Sequence, residues 1–259
     1  MPEIPEDDQE LSFLEHLVEL RSRLLKACLS VFVVLIVLLP FSRHLYETLA
    51  APMMAQMPEG SSMIAIDVAS PFLTPFKLTL LAAIMISIPV VLYQLWAFVA
   101  PALFKHEKRL ARPLLFSSVF LFYAGCAFAY FVVFPLVFGF LTRIAPDGVA
   151  VMTDISKYLD FVITLFLAFG ITFEVPIATI IVVATGITTP DKLAGWRPYI
   201  IVGAFAIGMI LTPPDVISQT LLALPMWLLF ELGIIFSRIL VTEKPAETGE
   251  EADADQATN

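Results

Sequence analysis

Charge is scarce in this sequence: Asp, Glu, Lys and Arg make up 15% of the residues, against about 25% in ordinary soluble domains. With 59% hydrophobic residues and a mean hydropathy of +0.87, water is excluded as the main solvent of the fold. There are only two cysteines, Cys28 and Cys126, each inside an apolar run; this excludes a disulfide framework, and both read as small packing residues. The three histidines, His16, His44 and His106, are far apart and lie near interfaces, so no metal-spaced cluster is present. A Walker-type GK[ST] loop and a nucleophile-elbow pattern are missing as well. Neither an ATPase nor a hydrolase is expected, and no enzyme activity, metal, cofactor or nucleic-acid partner.

What the sequence does contain is long apolar runs. A helix needs about 20 mainly apolar residues to cross roughly 30 Å of hydrocarbon, and continuous runs fit helices rather than alternating barrel strands. Hydropathy and breakers place six spans near Leu24–Phe41, Phe76–Val99, Leu114–Phe134, Tyr158–Ala184, Pro198–Leu211 and Val216–Phe236. The expected fold is an all-α integral membrane protein, with residues 1–240 as one six-span domain. The fifth span is short, about 21 Å of helix between Arg197 and the breaker "TPPD", so the bilayer thins there or the hairpin is partly re-entrant. No internal repeat is visible, so an inverted-repeat transporter gains no support. The N-terminus "MPEIPEDDQE" lacks the basic flank of a cleaved signal, so the first span is expected to be retained. The acidic tail, residues 241–259, has almost no apolar content and is expected to be disordered.

Orientation follows from the positive charges. Arg21, Arg23, Lys26, Lys105, Lys108, Arg109, Arg112, Lys192, Arg197, Arg238 and Lys244 fall on the side of the termini. The other side holds only Arg43, Lys77, Arg143 and Lys157. Cytoplasmic loops carry the excess of Lys and Arg, so both termini are expected to be cytoplasmic.

Three stretches can carry chemistry. "SFLEHLVELRSRLL" places Leu14, Leu17, Val18, Leu24 and Leu25 near one helical face, which suits an interfacial helix over about residues 11–23 that then turns into the first span. Glu19 and Arg23 are four apart, which by itself predicts an exposed helical ion pair of about 0.3–0.5 kcal/mol. "PALFKHEKRLAR" is a basic turn around Glu107, and by itself a basic turn sets topology and meets anionic lipid headgroups. The sharper reading takes Glu19 and Glu107 together, two carboxylates on one side of the membrane able to grip guanidinium groups and to prefer Arg to Lys. In "ITFEVPIA", Glu174 sits inside the fourth span, at a cost of about 2.5–3.5 kcal/mol for a charge at a helix centre, so it must face protein or water. A structural hydrogen bond, a proton relay, an ion site and a wet groove for a partner's polar segment all fit. Pro176 can break the helix and free carbonyls nearby. In "LTPPDVISQT", Thr212 can cap, Pro213 opens the next helix, Asp215 complements its N-terminus, and Gln219 lies just inside the sixth span. An ion-coupled secondary transporter of a small solute, with Glu174 as its ion site, is the competing class; a passive assembly scaffold is a third.

Five motifs, "HLVELRSRLL", "WAFVAPALFKHEKR", "FAYFVVFPL", "FGITFEVPIA" and "GMILTPPDVISQ", occur in one order from about Leu11 to Arg238, and together they resemble the TatC family, the multi-span subunit of the bacterial twin-arginine translocase. The resemblance implies a glove-shaped, six-span receptor, with short fifth and sixth spans, for signal peptides bearing paired arginines, in the inner membrane. It would be a core subunit that exports folded proteins with the protonmotive force. By motif, Glu19 and Glu107 would hold the twin arginines, with Arg21, Phe98, Leu103 and Lys105 shaping that surface. Glu174 would meet a polar position on a partner helix from the concave face. Met209, Thr212 and Gln219 would form a docking patch for single-span subunits of the TatA and TatB type, and Asp215 would serve the transport step. Membrane lipids and further copies of the chain complete the implied partners.

Overall fold

A computed structural model of the chain describes residues 6–54, 64–99, 111–137, 139, 154–211 and 216–240. Helices account for nearly all of them, because a chain in hydrocarbon must satisfy its own backbone hydrogen bonds. In order they are α1 (Glu6–Leu38), a 3-10 turn at Leu39–Phe41, α2 (Ser42–Met54), α3 (Ser70–Val99) and α4 (Ala111–Phe128), then α5 (Ile155–Thr172), α6 (Val175–Ala184), α7 (Pro190–Gly195), α8 (Arg197–Leu211) and α9 (Val216–Leu240). Five stretches are long and apolar enough to cross a membrane: His16–Thr48, Ser70–Val99, Arg112–Val137, Ile155–Ala184 and Leu222–Leu240. Arg197–Ile210 is a shorter apolar helix. The five long stretches fall on the first four and the last of the expected spans, and the shorter helix falls on the fifth, short as anticipated; the sixth, expected to be short as well, lies in the 25-residue α9, because no breaker other than Pro225 interrupts it. The tail at 241–259 lies outside the described residues.

One difference concerns the start of the chain. The segment expected to lie at the interface and then turn is continuous with the first span, both belonging to the 33-residue α1. The reason is in the sequence: no Gly or Pro occurs between Glu6 and Leu39, so nothing interrupts the ladder until Pro40. α1 packs mainly on α3. Leu17, Val18, Leu24, Leu25, Phe32 and Val37 are left exposed, as suits a helix that faces lipid. Cys28 is exposed on this same helix, contrary to the packing role expected of it, whereas Cys126 is buried.

The core sits among α3, α4, α5, α6 and α9. Ile88, Leu92 and Trp96 of α3 meet Leu114 and Phe122 of α4, Ile177 and Ile180 of α6, and Phe230 and Ile234 of α9. A second cluster joins the helical continuation beyond α4 (Val133, Val137) to α5 (Val162, Leu165, Phe169) and to Leu222. The third sets Leu78 and Leu81 of α3 on Leu159. On α4 the buried positions Leu114, Ser118, Phe122 and Cys126 step by four, each step drifting about 40° around an α-helix. A π turn at Ala129–Val133 takes up the drift, so Ala129, Val133 and Val137 stay buried on α5.

The fourth span is two helices. Phe173 and Glu174 form a turn between α5 and α6, with the Glu174 N–H bonded to the Ile171 carbonyl at 3.0 Å instead of one residue further back. Pro176 has no N–H to offer Thr172, and it opens α6 in the first-turn position where that loss is harmless. Close packing holds the break from two sides. A Cβ on Gly125 of α4 would lie 2.5 Å from the Phe169 carbonyl oxygen, and one on Gly233 of α9 would lie 2.1 Å from Thr179 Oγ1 and 2.9 Å from Pro176 Cα. Only glycine lets these backbones approach so closely.

Candidate functional site

Glu174 stands at that break, on the first residue before α6, half-buried. Ser118 of α4, buried at 1% exposure, donates its hydroxyl to Glu174 Oε2 at 2.5 Å. The other oxygen, Oε1, is buried and has no hydrogen-bond partner among the described residues. Half of this carboxyl group is therefore satisfied inside the chain and half is not. A buried carboxyl oxygen without a partner is costly. Ser118 escaped the sequence reading, since no local pattern reveals which helix faces position 174; the stepping by four from Leu114 was the available signal.

A second carboxylate, Glu19, lies on the first half of α1. Arg23 donates from Nε at 2.8 Å and from Nη2 at 2.5 Å, both to Oε1. The helical ion pair expected from the four-residue spacing is present. Oε2 points elsewhere, with the Nδ1 of His16 3.9 Å away. The His16 ring stacks on Phe98 near the end of α3, centroids 4.3 Å apart and planes 18° from parallel. Packing of α1 on α3 thus brings together Glu19 and Phe98, far apart in sequence, through a histidine to which the sequence assigned no role. Arg21 is exposed on the same helix. Leu103, Lys105 and Glu107 lie outside the described residues.

The third group is at the α8–α9 hairpin. Gly208 rests on Gln219, a Cβ at position 208 falling 3.5 Å from the Gln219 carbonyl oxygen. Met209 beside it is 59% exposed, and Gln219 is half-buried. Thr212 and Asp215 lie outside the described residues. The base of the hairpin is closed by Arg197, which bonds both carboxylate oxygens of Glu231, Nη2 to Oε2 at 2.9 Å and Nε to Oε1. Arg238 bonds Asp191 of α7 at 2.7 Å. Across the molecule, Lys77 of α3 bonds Asp160 of α5 at 2.7 Å.

An all-helical, multi-pass membrane protein is defined by this arrangement, one that keeps a carboxyl group inside a broken span. The comparisons with known proteins name the family. The family model for Sec-independent protein translocase protein (TatC) matches residues 15–225. The Sec-independent protein translocase protein TatC of Azotobacter chroococcum mcd 1 is 56% identical over 243 residues, 93% of this chain and 95% of that one. Its namesake in Escherichia coli K12 is 58% identical over 236 residues, 91% of each chain. A crystal structure of the twin-arginine translocase receptor TatC superposes with a TM-score of 0.78 at 38% identity, covering 88% of this chain and all of that one. The chain belongs to the TatC family and is a subunit of the twin-arginine translocase. These relatives do not favour the small-solute transporter.

Proposed function

We propose that this subunit is the signal-peptide receptor of its translocase, in a bacterial inner membrane with both termini cytoplasmic. It catalyses no reaction of its own. Paired arginines of a signal peptide bind the carboxylates of Glu19 and Glu107, on a surface shaped by Arg21, Phe98, Leu103 and Lys105. Folded cargo then moves with the protonmotive force. Single-span subunits of the TatA and TatB type dock at Met209, Thr212 and Gln219. A polar position on one of their helices meets Glu174, and Asp215 serves the transport step.

The observation that carries this reading is the Glu19–Arg23 contact: in its own surroundings Glu19 already accepts a guanidinium through two N–H groups. Charge-assisted guanidinium–carboxylate bonds contribute about 1.5–3 kcal/mol each where a bound peptide shields them from water, and an ammonium, though it carries three donors, has neither the plane nor the fixed fork of a guanidinium. The test is binding of a labelled twin-arginine signal peptide to the purified protein, with a twin-lysine peptide as control. Glu19→Gln and Glu107→Gln are each expected to weaken the twin-arginine peptide about tenfold or more. Equal binding of the two peptides by the wild type, or unchanged binding in both variants, would refute the assignment.

A further inference from the structure

We infer that His16 is a specificity-determining residue of the same site: a peptide guanidinium bonds Glu19 Oε2 while lying flat on the open face of the His16 ring, whose opposite face is backed by Phe98. The inference rests on the receptor reading above and extends it to a residue that reading does not use.

Three observations carry it. First, the two oxygens of Glu19 are differently engaged. Arg23 directs Nε and Nη2 both to Oε1, so its guanidinium orients the carboxylate and leaves Oε2 to a second cation. Second, Oε2 is 3.9 Å from His16 Nδ1, so a cation bonded to Oε2 lies beside the imidazole and within reach of it. Third, the ring is held for that purpose. It stacks nearly parallel on Phe98 and its side chain is yet 52% exposed among the described residues, so one face is backed while the ring stays accessible.

Planarity is what such a platform reads. A guanidinium is flat, weakly hydrated and stacks on aromatic faces while keeping its edge donors for a carboxylate; an ammonium is a compact, strongly hydrated point charge that gains little from the ring. Carboxylates alone prefer the guanidinium but hold an ammonium as well. Added to Glu19, the stacked pair separates arginine from lysine, and it does so through the face of the ligand rather than its charge.

The experiment measures binding of labelled twin-arginine and twin-lysine signal peptides to the full chain, for wild type, His16→Ala, His16→Phe and Glu19→Gln. His16→Ala is expected to weaken the twin-arginine peptide roughly 2- to 5-fold, the range of a cation–aromatic contact at a partly exposed site, and to leave the twin-lysine peptide unchanged. His16→Phe, which keeps a flat ring on Phe98, is expected to retain the preference, and it separates loss of the platform from loss of the fold. If His16→Ala leaves the ratio of the two affinities unchanged while Glu19→Gln abolishes binding, the inference fails and the receptor reading stands. If both His16 variants weaken both peptides equally, His16 only supports the helix, and the inference fails. Unchanged twin-arginine binding in Glu19→Gln overturns the platform, and unchanged binding in Glu107→Gln as well overturns the receptor reading with it.

Discussion

The Ser118–Glu174 contact invites a double-mutant cycle. In Ser118→Ala the 2.5 Å donor to Oε2 is lost, and since Oε1 already lacks a described partner, both oxygens of the half-buried carboxyl group are left without one. Removing one member of such a pair costs about 1–3 kcal/mol, whereas removing both with groups of matched shape is close to neutral. Ser118→Ala should therefore lower stability by about 1–3 kcal/mol, and Glu174→Leu combined with Ser118→Ala by less than the two single effects added together. The assay is reversible unfolding of the purified protein in mixed micelles, with each variant also scored for export. A coupling within about 0.3 kcal/mol of zero would refute the contact. Export should separate the two residues. Ser118→Ala keeps Oε1 and is expected to retain part of the transport, while Glu174→Ala removes it and is expected to stop transport. Full export by Glu174→Ala would sink the idea that the unpaired oxygen receives a partner.

Gly233→Ala places a methyl group on Thr179 and Pro176 where a Cβ has no room, so α9 must move off α6. The expected loss is about 1–3 kcal/mol or more, read as a lower unfolding midpoint; an unchanged midpoint would show that the helices are not in contact there. By contrast, Gly208→Ala, whose Cβ meets Gln219 at ordinary contact distance, should be tolerated in the same measurement. Arg197→Gln and Glu231→Gln should each loosen the α8–α9 hairpin, with a coupling that shrinks as ionic strength rises. Equal effects at low and high salt would contradict an exposed ion pair.

How much of this was legible in the sequence depended on whether the signal was local. The spans followed from apolar runs and breakers because the bilayer imposes length and backbone satisfaction on each segment separately. Pro176 beside Glu174 announced the broken fourth span for the same reason. The Glu19–Arg23 pair was legible from its spacing, which one helix fixes by itself. Contacts between helices were not legible. Ser118 with Glu174, His16 with Phe98 and Arg197 with Glu231 depend on which faces meet, and nothing within either segment encodes that. The N-terminal turn was expected from a change of composition, amphipathic then apolar. Composition governs which solvent a helix faces, though, and with no Gly or Pro to interrupt it the helix runs on.

That unbroken α1 has a mechanical meaning. Thirty-three residues of helix make a rod about 50 Å long, more than the thickness of a whole bilayer with its headgroups. It lies along one principal neighbour, α3, and ends at Pro40, where a 3-10 turn hands over to α2. With no Gly or Pro between Glu6 and Leu39, the rod has no built-in site for a sharp kink along its length. Glu19 and Leu38 thus belong to one unbroken helix, 19 residues and about 28 Å apart along its axis.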